Sequence, residues 1–174
     1  MTPHQLTQKM RHHYAISVIN ASTSRGMIQR GHINNVRDFL DRLDLERFNS
    51  PVTFNHALDR KTKSLARLLP KGGWGAARKF LNLYLRAAAY NYYLRRAYKL
   101  GPVERVLELP LDKYAAEHLL RKREGRMLPK WKGVIHLTPE VNADYQAVAA
   151  QVAARKHIHR VHLDMLFWRT PFKS

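Results

Sequence analysis

The chain has 174 residues, no cysteine, and 31 Lys and Arg against 13 Asp and Glu, a formal net charge of +18. That length suits one domain with its own core, and 45% hydrophobic residues offset the entropy of ordering it, which excludes wholesale disorder. The missing cysteines exclude disulfides, thiolate nucleophiles and cysteine-ligated zinc or iron–sulfur sites, and the charge points to a polyanionic partner, nucleic acid being the usual one.

In chain order, Leu6, Met10, Tyr14, Ile16 and Ile19 predict an amphipathic helix over residues 5–19, ended by the polar stretch NASTSRG from Asn20 to Gly26. Ile33, Val36, Phe39, Leu40 and Leu43 predict a second, with Asn34 or Asn35 as its cap. Phe54, Leu58, Leu65 and Leu68 predict a third that stops at Leu69, because Pro70 disfavours helical geometry in the residue before it. Phe80, Leu81, Tyr84, Leu85, Ala88 and Leu94 mark one long helix ending at Gly101 and Pro102.

Asp112 precedes KYAAEHLLRK and is placed to cap that helix. A basic loop, RKREGRMLPKWKG, follows, and then Thr138, Pro139 and Glu140 open a helix through Ala154. HIHRVHLDMLFWR is a last helical stretch, and only GVIHL resembles a strand. The expectation is an all-α single domain of about seven or eight helices at usual lengths. No stretch reaches the roughly 18 uninterrupted apolar residues of a membrane span, so no membrane partner is expected and a cytoplasmic place, at the nucleoid in a bacterium or archaeon, is.

From Arg60 to Lys99 eleven basic residues run without an acid, and Gly72, Gly73 and Gly75 fall in the middle of them. Glycines let an outside group approach the backbone, and a helix that starts just after them aims free amides outward, the makings of a phosphate site with Lys71, Arg78 and Lys79 as its charge. The other reading is a tight interhelical turn with basic neighbours. Gly75 is followed by Ala76 and Ala77, not by the Lys-Ser/Thr of an ATP-binding loop, so no nucleotide cofactor is expected.

The order helix, LPKGGWGAARKFL, basic helix and then LELPLDKY resembles the helix-hairpin-helix DNA glycosylases of base excision repair. The resemblance implies a hairpin at about residues 56–96 gripping the DNA backbone, and Asp112 as the aspartate that points into the base pocket. It implies that NASTSRG fills the gap left by an extruded base, with Asn20 or Ser22 as the filler. In the strand-cleaving members a lysine follows the last glycine by two residues. Here that place is Ala77, so lyase chemistry is not expected by that route, although a shifted turn would bring in Lys79.

A fixed carboxylate stabilises the positive charge that builds on a sugar as its glycosidic bond breaks, and a helix N-terminus keeps such an acid ionised. Capping alone explains Asp112 equally well. A flipped base wants aromatic walls, for which Trp74, Tyr90, Tyr93 and Tyr114 are the candidates, Trp74 with packing as its alternative. His159 and His162 stand three apart with no completing carboxylate or cysteine, so no metal site is expected. Three functions follow: a monofunctional DNA glycosylase, a helix-hairpin-helix module that binds DNA or RNA without chemistry, or a basic ribosome- or RNA-associated structural protein. Base, strand preference and oligomeric state stay open.

Overall fold

In the computed structural model the described residues are 1–29, 31–70 and 73–168; Lys71 and Gly72, two of the expected phosphate contacts, lie outside them. The first helix, α1 (Pro3–Val18), begins where Thr2 and Gln5 form a reciprocal capping box with Pro3 in the first turn. Inside NASTSRG the backbone forms a short helix, α2 (Ala21–Ser24), because Asn20 accepts from the amides of Ser22 and Thr23 and Thr23 answers to the Asn20 amide. The next, α3 (Ile33–Asp41), starts before Asn34 and Asn35, so neither caps it; His32 holds the cap position without a side-chain hydrogen bond.

Helix α4 (Phe54–Ala66) leads to α5 (Gly73–Tyr90), the longest element and the central one. The predicted long helix breaks after Tyr90, since Asn91 turns extended and its side chain accepts from the Leu94 amide, starting α6 (Tyr92–Ala97). Asp112 caps α7 (Lys113–Leu120), with Oδ1 2.8 Å from the Ala115 amide, and Thr138 caps α8 (Pro139–Ala154), both as expected. The segment resembling a strand is a single 3₁₀ turn, Val134–His136, entered through Gly133 at φ +101°, a conformation natural only to glycine. The closing stretch is a 3₁₀ turn, Arg160–His162, followed by α9 (Leu163–Phe167); His157, left-handed at φ +56°, ends α8 with the Ile158 amide returning to Ala153 O. The described residues thus hold nine α-helices and no strand, and none is long and apolar enough to cross a membrane.

Two apolar clusters build the core. The first gathers α1, α3, α4 and the inner face of α5 around Phe48, Phe54, Leu58, Phe80 and Tyr84, and runs on to Leu107. The second begins at Leu109 and joins α7, α8 and α9 through Leu119, Tyr145, Val152 and Leu163. Each such side chain, fully withdrawn from water, contributes about 1.5–3 kcal/mol. Between Leu107 and Leu109 sits Glu108, a buried acid at the seam of the two clusters.

Candidate functional site

The start of α5 is packed shut. A methyl on Gly75 would lie 2.1 Å from the Val134 carbonyl oxygen and 2.7 Å from Leu137 Cβ, and one on Gly73 would lie 2.7 Å from Leu69 Cβ. Neither glycine has positive φ. Their small size lets the 133–137 segment and the end of α4 close on the helix, which is a packing role; Gly75 is buried and offers no open backbone to an outside phosphate. Trp74 likewise packs on the second cluster, with the Arg78 guanidinium 5.5 Å from its ring centre.

Arg78 is turned inward. Its Nε and Nη2 donate to the two oxygens of Glu108 at 2.8 and 2.7 Å, and Nη1 donates to Asp59 at 2.6 Å and to Thr62 at 3.2 Å. Asn82, one turn further along α5, donates to Glu108 at 2.9 Å. With its side chain 6% exposed, Arg78 is a structural cation and not the surface contact expected of it. Burial pushes the Glu108 carboxyl up, but the hydrogen bonds and charge of Arg78, with Asn82, more than reverse this and hold it below the ordinary carboxylate range.

Lys79 is also buried, yet it faces a cleft of about 360 Å³, within the roughly 300–1,000 Å³ of small-ligand sites. One wall is the α5 stripe of Lys79 and Leu83; α2 brings Ser22 and Thr23; the start of α7 brings Pro110, Asp112 and Tyr114. Asp164 and Trp168 line it from the closing segment. Lys79 Nζ donates to the Thr23 carbonyl oxygen at 3.2 Å. Burial lowers its pKa, and the charge of Asp112 opposes that in part, so the amine is more easily deprotonated than a surface lysine.

Asp112 feels a second cation, Arg86, which is itself ion-paired with Asp164. The cleft thus sets two amines, Lys79 and Lys113, two carboxylates, a phenol and an indole around a space of ligand size. Such a set can hydrogen-bond a flat polar ligand and stabilise positive charge at its edge.

Of the expected residues, Ser22, Lys79, Asp112 and Tyr114 meet here. Asn20 is spent on capping α2, Tyr90 lines a different groove, and Tyr93 is exposed on α6. Sequence reasoning missed Thr23, Asp164 and Trp168. Thr23 was within reach, since it follows Ser22 in the same stretch, whereas Asp164 and Trp168 arrive only through the tertiary fold. Leu83 and Arg86 were legible as the α5 residues one and two turns beyond Lys79. Among the described residues no cluster of His, Asp and Glu could hold a metal ion. Comparison with known proteins returns no matching family model, no similar curated protein and no similar solved structure.

Proposed function

We propose that this chain binds nucleic acid, receives an extruded base in the Lys79–Asp112 cleft and hydrolyses its N-glycosidic bond. What carries the reading is the convergence of Ser22, Lys79, Asp112 and Tyr114, from three distant parts of the chain, on one cleft of ligand size. The net charge of +18 supports a polyanionic substrate.

In this mechanism Tyr114 and Trp168 flank the base, and Asp112 stabilises the cationic sugar and orients the attacking water. Lys79 hydrogen-bonds the incoming group.

The test is base release from DNA carrying a panel of damaged and modified bases, scored as abasic sites. Asp112→Asn keeps a good helix cap, so the fold should melt unchanged while release falls roughly a hundredfold or more. Release that is unaltered in the variant removes Asp112 from the chemistry. Binding without release, in both proteins, makes the chain a binding module. Borohydride trapping shows whether Lys79 forms an imine with the opened sugar, which distinguishes strand cleavage from hydrolysis alone.

A further inference from the structure

Eleven residues after Lys79, on the same stripe of α5, Tyr90 heads a hydrogen-bonded chain drawn from three elements. Its hydroxyl lies 2.6 Å from Nδ1 of His162, and Nε2 of His162 lies 2.9 Å from Oε1 of Glu104. The other Glu104 oxygen is held by Arg95 at 2.5 Å. A carboxylate only accepts, so Nε2 carries the imidazole proton and Nδ1 is left as the acceptor for the Tyr90 hydroxyl. The order carboxylate, imidazole, hydroxyl is the one that activates a nucleophile: the acid orients the base, and the base takes the proton.

Beside this chain runs a groove of about 700 Å³, lined on its polar side by Arg155, Lys156 and His157 and on its apolar side by Ile158, Met165 and Leu166. Tyr90 and His162 both open into it. Burial holds the phenol above its ordinary pKa, with Arg86 opposing and Glu104 adding to the rise, so the hydroxyl remains protonated at neutral pH and needs a base to react. The charged and titratable groups around it are Arg86 on α5 with its partner Asp164, Arg95 on α6, Glu104, His159 and His162 on the closing segment, and across the groove Lys156, His157 and Arg155, the last ion-paired with Glu124.

We propose that Tyr90, His162 and Glu104 form a second reactive site, in which the Tyr90 oxygen attacks the phosphorus of a phosphate ester seated in the Arg155–Lys156–His157 groove. The new bond is tyrosine oxygen to phosphorus, and the bond that breaks joins phosphorus to the leaving oxygen. The phenolic proton passes to Nδ1 of His162, whose imidazolium is stabilised by Glu104, and the leaving alkoxide takes a proton from water. No redox partner or cofactor enters the balance. The site owes nothing to Asp112 and stands or falls apart from the cleft.

The chain carries its own controls. Tyr92 and Tyr93, at 65% and 49% exposed, are more accessible than Tyr90 at 40%, and among the described residues neither has an imidazole partner: Tyr92 takes a hydrogen bond from Arg96, and the Tyr93 ring stands edge-on to that of Tyr92. The experiment treats the full chain with diisopropyl fluorophosphate, in which fluoride is the leaving group, and follows each tyrosine by peptide mass mapping. Tyr90 should label faster than Tyr92 and Tyr93 by roughly a hundredfold, the low end of general-base assistance. In His162→Gln the Tyr90 rate should fall to that of the exposed pair. Equal labelling of the three tyrosines in the wild type overturns the proposal even if His162→Gln does not fold. So does an unchanged Tyr90 rate in a folded His162→Gln.

Discussion

Replacing Glu108 by Gln tests what joins the two halves of the core. The carboxylate accepts from Arg78 at 2.8 and 2.7 Å and from Asn82 at 2.9 Å, and Asn142 stands 3.4 Å from both oxygens. A glutamine of the same shape removes the charge and turns one acceptor into a donor that faces other donors. Breaking a buried ion pair from one side costs about 3–5 kcal/mol. Asp59 still holds Arg78 at 2.6 Å, but its side chain is 58% exposed and screened, so the lower figure, about 3 kcal/mol, is the expectation. For a chain of this size that is a drop in Tm of about 6–12 °C, read by circular dichroism at pH 7.

The pH dependence supplies the second readout. The folded Glu108 pKa lies below its ordinary value of 4.5, so the unfolded chain takes up the proton first as pH falls. The stabilisation is present above pH 4.5 and is lost as pH drops through the folded value. The gap between wild type and Glu108→Gln should therefore close on acidification. A loss under about 1 kcal/mol, or a gap indifferent to acid, would refute the assignment of this pair as the tie across the seam.

Two glycines separate steric from conformational cost. Gly75→Ala drives a methyl to 2.1 Å from a backbone oxygen and should cost at or above the upper end of the roughly 1–3 kcal/mol of overpacking. Gly133→Ala meets nothing within 4 Å and should cost about 1–2 kcal/mol from its φ of +101° alone; urea melts that rank them the other way round contradict the packing described. Lys79→Met removes a buried cation and should stabilise the protein by about 0.5–2 kcal/mol at pH 7. Because the folded Lys79 pKa is lowered, the unfolded chain holds more protons as pH rises toward 10.5, so wild-type stability climbs there and the advantage of the variant shrinks. A variant less stable than wild type at pH 7 would show that the Thr23 hydrogen bond outweighs the burial of the charge.

The elements that could be read from the sequence are those set by neighbours in the chain. Asp112 and Thr138 are caps because the amides they satisfy are three residues away, and Pro139 fixes the start of α8 from inside its first turn. The Asn91 break was as local as these, but the apolar stripe that runs through it hid a capping side chain. Arg78 could not be read as buried, since a mid-helix arginine in a basic run has the pattern of a solvated face and its partner is 30 residues on. One clue was present in LELPL, where a lone acid within an apolar run calls for a buried cation. The cleft was half legible: Ser22, Lys79, Asp112 and Tyr114 stood among the expected residues, but which of the basic residues near the glycines turned inward depended on a helix phase fixed by Gly75 packing on Val134.

That phase also explains why fold and candidate chemistry sit on one helix without interfering. Trp74, Arg78 and Asn82 are spaced by four and share the face of α5 that meets Glu108. Lys79, Leu83, Arg86 and Tyr90, at steps of four, three and four, share another face, about 16 Å long from end to end. The closing segment crosses this second face, and the Arg86–Asp164 ion pair pins it near the middle. On one side of the pin Lys79 and Leu83 look into the Asp112 cleft, and on the other Tyr90 looks into the groove with His162. Cutting the pin with Asp164→Asn should loosen both sites together and leave the Glu108 seam intact. A variant that changes cleft chemistry and Tyr90 labelling while the acid-dependent part of the melt stays fixed is the expected outcome; a change in the melt alone would place Asp164 with the core.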